Sequence, residues 1–266
     1  MRLWILLPIC LAASDLRFFQ AAPRTDLEAA LTIVQADGDP FVKLAKDAPL
    51  SFLQACLNEY DKKVNDYTCT FHKFERGDDK GNFKSNGTEI IECAFREQPF
   101  SVLMRWKKGM SLTRSKVYYV KGENDNQVVG WAFLRELKKG LDDPMVKNSS
   151  RYGIHQFGFK QATERTLASM QKAKANGSLH VRFDGIVKVP QLLDRECYQF
   201  TRTPYDPPEE EGVNKLVLFF DKETLLQTGS RLFDTKGDLL AEYFFTDVVL
   251  NPGLDAKKFS VEELRK

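Results

Sequence analysis

The sequence predicts a mainly β protein of the α+β class, an antiparallel sheet of about ten strands curved around two or three helices. Three observations carry that expectation. Apolar side chains recur at every second residue through most of the chain, turn residues separate these runs at short intervals, and few segments show the three- and four-residue step of a helix. Short connections between strands favour antiparallel meanders over parallel crossovers. A sheet of that size must curl, close or be covered, because long open edges invite aggregation.

Residues 27–35 are weakly helical in pattern, and Asp37-Gly38-Asp39-Pro40 is expected to end that stretch. Ser51, just after Pro49, is placed to cap a helix whose apolar residues Phe52, Leu53, Cys56, Leu57, Tyr60 and Val64 share one face. The period then becomes two over 67–76, 88–96, 100–107, 115–121 and 127–134. In the third run Phe100, Val102, Met104 and Trp106 alternate with Ser101, Arg105 and Lys107, the pattern of a strand with one buried and one wet face. Residues 141–159 hold Pro144, Asn148, Gly153 and Gly158 without a clear period and read as a long loop. A second helix is expected over 161–175, with Thr166, Leu167, Met170 and Ala173 on one side and Asn176-Gly177 as its stop. Strands resume over 179–189, 196–203, 213–221, 224–233 and 238–248.

Met1-Arg2 followed by the apolar run 3–13 and small residues at 12–14 has the pattern of a signal peptide, taken here as 1–22. The run is too short for a spanning helix, which needs about 20 apolar residues, and no later stretch in the mature chain approaches that length. An N-terminal arm over 23–45 and a single domain over 46–266 are expected to follow, in a periplasmic or secreted protein. The formal net charge of +2 lacks the basic footprint of nucleic-acid binders, and that class is excluded.

Cys56, Cys69, Cys93 and Cys197 form no CxxC pair, so they read as buried thiols or disulfides rather than as zinc or redox centres. Cys69 and Cys93 flank the turn 77–82, and a hairpin about it sets residues whose numbers sum to about 160 opposite one another. This makes the pair a candidate cross-strand disulfide. His72, His155 and His180 lie in separate segments without metal-ligand spacing, so no metal site is expected. No nucleophile elbow, phosphate-binding loop or dinucleotide glycine pattern occurs, and neither a catalytic residue nor a cofactor is expected. Asp142, Asp143, Glu164 and Asp184 are eligible in principle for carboxylate-pair hydrolysis, as are most acids in the chain. The aromatic load, 20 Phe, 8 Tyr and 3 Trp, fits either an ordinary core or an apolar cavity enclosed by a curved sheet.

Several short motifs, in order over about residues 45–260, add to this reading. They are Pro49-Leu50-Ser51, Asp66-Tyr67-Thr68, Arg96 with Pro99-Phe100-Ser101-Val102, Tyr119-Val120-Lys121-Gly122, and Arg151-Tyr152-Gly153-Ile154. The ending Tyr243-Phe244-Phe245-Thr246-Asp247-Val248 with Asn251-Pro252-Gly253-Leu254 completes the set. Together they resemble the bacterial envelope family known as domain of unknown function 1571, which is similar to the periplasmic LolA-like carriers of outer-membrane lipoprotein sorting. The resemblance implies an incomplete barrel, a strongly curved antiparallel sheet with helices on its concave face, that binds a lipid or a lipoprotein acyl chain without catalysis. Phe100, Val102, Met104, Trp106, Trp131 and Phe133 are then the lining candidates by strand parity, with Leu167 and Met170 facing them from the helix. In the carriers an arginine helps hold the closed form, and Arg96 and Arg151 are both candidates for that structural or lid role. A related fold serves as a stress sensor that binds membrane-associated partners, so an envelope protein partner is the alternative, and an unrecognised hydrolase the third reading.

Overall fold

The period-two segments form one antiparallel sheet. In a computed structural model, residues 33–34, 39–77, 87–109, 115–132, 135–205 and 212–266 are described. The expected leader 1–22, Phe133 and the tip of the first hairpin lie outside them. Eleven strands run in sequence: β2 (Asp66–Glu75), β3 (Glu89–Arg96), β4 (Ser101–Lys108), β5 (Lys116–Val120), β6 (Val128–Ala132), β7 (Arg135–Lys139), β8 (Val181–Val189), β9 (Arg195–Arg202), β10 (Lys215–Asp221), β11 (Gln227–Phe233) and β12 (Leu239–Leu250). A two-residue strand, β1 (Ile33–Val34), pairs with β8. The sheet order is β1-β8-β9-β10-β11-β12-β2-β3-β4-β5-β6-β7, so two meanders join where β12 returns to pair with β2, and the sheet does not close. Phe245 stands opposite Phe71 and Leu250 opposite Tyr67 along that seam.

β7 is the strand that sequence periodicity does not reveal. Its residues Arg-Glu-Leu-Lys-Lys hold a single apolar side chain, Leu137, too few to show a period, because it lies at an edge of the sheet, where lysines discourage pairing with another chain. The helices are α1 (Pro40–Asp47), α2 (Pro49–Lys63), α3 (Pro144–Lys147), α4 (Phe159–Ala175) and α5 (Val261–Arg265). Asp39-Pro40 opens a helix instead of closing one, so the arm expected over 23–45 is helical from residue 40. The Asp39 carboxylate accepts from the Phe41 amide at 2.9 Å, and Pro40 takes the first position, where its missing N–H costs nothing. The same carboxylate accepts from the Tyr198 hydroxyl at 2.6 Å, pinning α1 to β9. Ser51 is not a cap: α2 starts two residues earlier, at Pro49, with Ala48 alone separating it from the end of α1 at Asp47. Likewise α4 begins at Phe159, because Gly158 turns the chain at φ +126°, a conformation open to glycine.

Helices α1, α2 and α4 cover the inner face of the second meander. Phe52, Leu53, Leu57, Leu167 and Met170 pack there against Ile186, Tyr198, Phe200, Leu218 and Phe220. The inner face of the first meander carries Tyr67, Phe71, Ile91, Phe95, Val102 and Met104, joined by Phe157 just before α4 and Phe159 at its start. On the opposite, outer face of β3–β6, Ala94, Leu103, Tyr118, Val120 and Val129 are covered by Phe259 and Leu264 of the C-terminal segment. Part of the outer face of these four strands is thereby buried too, while Glu92 and Lys107 remain exposed on it.

Candidate functional site

The three helices stop short of β4–β7, and the segment 141–158 spans the gap as a lid. Beneath it lies a cavity of about 320 Å³, near the lower end of ligand pockets in general, about 300–1,000 Å³. Its floor is built by alternate residues of neighbouring strands: Phe71 of β2, Ile91 of β3, Met104 and Trp106 of β4, Val117 of β5, Val128 of β6 and Phe245 of β12. The lid contributes Met145, Val146, Tyr152, Ile154 and Phe157. Burying apolar ligand surface here is worth about 25 cal/mol per Å².

Charged groups interrupt this apolar wall near the β2–β3 hairpin. The inward parity of β2 runs Tyr67, Cys69, Phe71 and then Lys73 and Glu75. Lys73 Nζ stands 3.1 Å from Glu89 and 3.5 Å from Glu75, all three being nearly fully buried. The Trp106 indole N–H donates to Glu89 Oε2 at 3.0 Å. Glu75 also holds the lid: its Oε1 accepts from the Ser150 hydroxyl at 2.9 Å, the Arg151 amide at 3.2 Å and the Tyr243 hydroxyl at 2.6 Å. Burial, and next the charge of Glu75, raise the Tyr243 hydroxyl well above its ordinary pKa. At the ends of the lid, Lys139 pairs with Asp143 at 2.9 Å and the Arg165 guanidinium lies 3.8 Å over the Tyr152 ring. A side chain at Gly158 would press on Phe95 at 3.2 Å and on the Tyr67 hydroxyl at 3.1 Å.

Of the lining candidates read from the sequence, Met104 and Trp106 border this cavity. Phe100 and Val102 do not: Val102 is wholly buried in the core, and Phe100 packs edge-on against Phe95 at 5.2 Å. Trp131 borders the cavity, but its register partner is Lys116, and it packs with the outer cluster of Tyr118 and Val129. The Arg265 guanidinium sits 5.2 Å from its ring. Phe133 lies outside the described residues. Leu167 and Met170 serve the other half of the sheet and do not face Met104 or Trp106, because α4 packs with α2 over the second meander. Arg151 belongs to the lid, and its guanidinium donates to the Arg76 carbonyl at 3.4 Å. Arg96 does not: it donates to Ser101 at 3.3 Å and lies 5.1 Å over Phe259 on the outer face.

Periodicity missed Lys73, Glu75, Glu89 and the lid residues. The signal for the charges was present, since Lys73 and Glu75 continue the inward parity of Tyr67, Cys69 and Phe71. Cys69 and Cys93 stand directly opposite in the β2–β3 register, both as free, buried thiols. Burial raises the Cys93 thiol, with Cys69 adding to the effect, and pushes Cys197 up to about 12. Asp143 caps α3, and Asp184 accepts from Arg182, Gln199 and Thr201 on the second meander. Among the described residues no group of three or more His, Cys, Asp or Glu could hold a metal ion. No helix among them is long and apolar enough to cross a membrane.

A family model described as a protein of unknown function, DUF1571, matches residues 64–264, well over half of the chain. The chain belongs to the DUF1571 family. No curated protein sequence matches it. Among solved structures, this DUF1571 chain is similar to MucB at 19% identity and a TM-score of 0.50, covering 80% of this chain and 63% of MucB. It thus spans less than two thirds of the length of MucB, and the likeness shows a shared fold. The complex of Pseudomonas aeruginosa MucA and MucB aligns at 16% identity and a TM-score of 0.48, covering 82% of this chain and 62% of that one. The Mycobacterium tuberculosis lipoprotein LppX aligns at 9% identity and 0.46, covering 79% and 99%. The neighbours also include a LolA superfamily protein from Nitrosomonas europaea.

Proposed function

We propose that this DUF1571 protein is an exported, non-enzymatic binding module of the bacterial envelope, delivered by the cleaved leader 1–22, and that its cavity houses the acyl chain of a lipid or lipoprotein. The observation that carries this reading is an apolar cavity roofed by a segment tied down at a few polar points. Apolar walls retain a chain by burial, and a roof that opens without dismantling the sheet lets the chain in and out. The ties of Ser150 and Arg151 to Glu75 lie at one end, beside Glu89, so a chain would enter with its apolar tail along Phe71, Ile91 and Met104.

The test is native mass spectrometry, with lipid extraction, of the mature protein purified without detergent from its own envelope, beside a Trp106→Asp variant. A co-purifying acyl lipid that the variant loses supports the proposal. A folded, empty protein that also fails to bind a neutral naphthylamine probe overturns it. The second reading, a module that docks a protein partner, draws on Met145, which is 66% exposed on the lid beside the cavity. It also draws on the fold shared with MucB, a protein solved in complex with MucA. In that case crosslinking in the envelope traps a partner through residue 145, and no lipid co-purifies.

A further inference from the structure

The cavity wall carries an excess of positive charge. Among the described residues its charged members are the cations Lys73, Lys116, Lys139 and Arg165 and the single anion Glu89. Three of the cations are committed: Lys73 is shared between Glu75 and Glu89, Lys139 pairs with Asp143, and Lys116 donates to the Leu264 carbonyl at 3.1 Å. Arg165, a partly buried residue of α4, pairs with no carboxylate and donates no hydrogen bond among the described residues. Its guanidinium carbon lies 3.8 Å over the Tyr152 ring of the lid.

A guanidinium is a planar fork of N–H donors that matches a carboxylate or a phosphate with two parallel hydrogen bonds. The attraction to the Tyr152 ring holds the side chain in place and leaves that fork to another partner. Ala162, three residues earlier on the same face of α4, borders the cavity too, so Arg165 stands where the helix meets the lid. Its partial exposure puts the charge at the rim, where a ligand head keeps contact with water while its tail lies on the apolar floor. An anion brought to Lys73 instead would meet Glu75 and Glu89 beside it.

From this we infer that the chain bound in the cavity has an anionic head, a carboxylate or a phosphate, which the Arg165 guanidinium holds at the rim. The inference rests on the acyl-binding reading and names the chemical class within it.

Displacement of a neutral naphthylamine probe by lauric acid, dodecyl phosphate and dodecanol tests it on the wild-type protein and on Arg165→Met and Arg165→Lys variants. Methionine keeps an apolar side chain against Tyr152 and removes the charge, whereas lysine keeps the charge and loses the fork. In the wild type at least one of the two anions is expected to displace the probe at about tenfold lower concentration than dodecanol, equivalent to about 1.4 kcal/mol. The stronger of the two identifies the head as carboxylate or phosphate. In Arg165→Met the advantage falls to within about twofold, through weaker binding of the anions alone, and Arg165→Lys keeps part of it. Unchanged displacement by dodecanol in both variants shows that the cavity is intact. Equal displacement by all three ligands in the wild type, or an advantage undiminished in Arg165→Met, overturns the inference while acyl binding stands. If the probe itself does not bind, the acyl-binding reading fails and the inference with it.

Discussion

Replacing Glu75 with alanine takes away the acceptor on which three donors converge, the Tyr243 hydroxyl at 2.6 Å, the Ser150 hydroxyl at 2.9 Å and the Arg151 amide at 3.2 Å. A hydrogen bond to a charged group contributes about 1.5–3 kcal/mol, and a buried donor left without an acceptor loses about 1–3 kcal/mol. These losses overlap, because one carboxylate makes all three bonds and the space alanine leaves can admit water to polar groups. The expected cost is about 3–5 kcal/mol, the range for removing one member of a buried charged set. Glu75→Gln keeps an oxygen toward Tyr243 and Ser150 and gives up only the charge 3.5 Å from Lys73, which retains Glu89 at 3.1 Å. Its expected cost is smaller, about 1–2 kcal/mol. Urea unfolding followed by tryptophan fluorescence measures both. Hydrogen exchange then locates the effect: in the alanine variant the amides of 141–158 exchange faster while those of α4 keep their protection. An alanine variant within about 1 kcal/mol of wild type, or a uniform rise in exchange across the sheet, refutes the assignment of Glu75 as the tie of the lid.

Gly229 and Gly130 make a contrasting pair. A methyl group at Gly229 would stand 2.6 Å from the Phe244 ring and 3.2 Å from Phe219, so Gly229→Ala is expected to cost about 1–3 kcal/mol by overpacking. At Gly130 the nearest atom is 3.6 Å away on Val117, so Gly130→Ala should be close to neutral in the same urea titration. The C-terminal helix carries a pH dependence. Burial pushes the Glu263 carboxyl up, but hydrogen bonds from Lys266 and Lys258 and the charge of Arg105 outweigh it and hold the group at about 2. Its folded value lies below the ordinary 4.5, so its contribution is complete above that pH and is lost as pH falls toward about 2. Acid titration followed by the fluorescence of Trp131, which sits under Arg265, should show α5 releasing at higher pH in Glu263→Gln. An unchanged midpoint contradicts the role of Glu263.

How much of this was legible in the sequence depended on whether the deciding contact was local. Period-two runs located ten of the eleven long strands, because a half-buried strand writes its burial into alternate residues. β7 stayed hidden because an edge strand has little apolar face to write. The opposition of Cys69 and Cys93 could be reached by counting about one turn, since a hairpin sets its own register. Alternation also separates the two faces of a strand, but it does not say which face looks inward, and Trp131 shows the consequence. Its face follows from the pairing of Lys116 with Trp131 and Tyr118 with Val129, and from α5, more than a hundred residues later, covering that side.

Leu167 and Met170 illustrate the same limit for a helix. The sequence determined that they share an apolar face, whereas tertiary packing decided that this face meets Tyr198 and Phe200 instead of Met104 and Trp106. The candidate site itself is a product of long-range closure. Lys73 and Glu89 come together across a hairpin, but Glu75 meets Ser150, Arg151 and Tyr243 only after the lid has folded back and β12 has paired with β2. Strands and helices were thus determined by short-range periodicity, which follows from backbone geometry. The cavity, its charges and its roof were decided by contacts between distant segments, which no local pattern encodes.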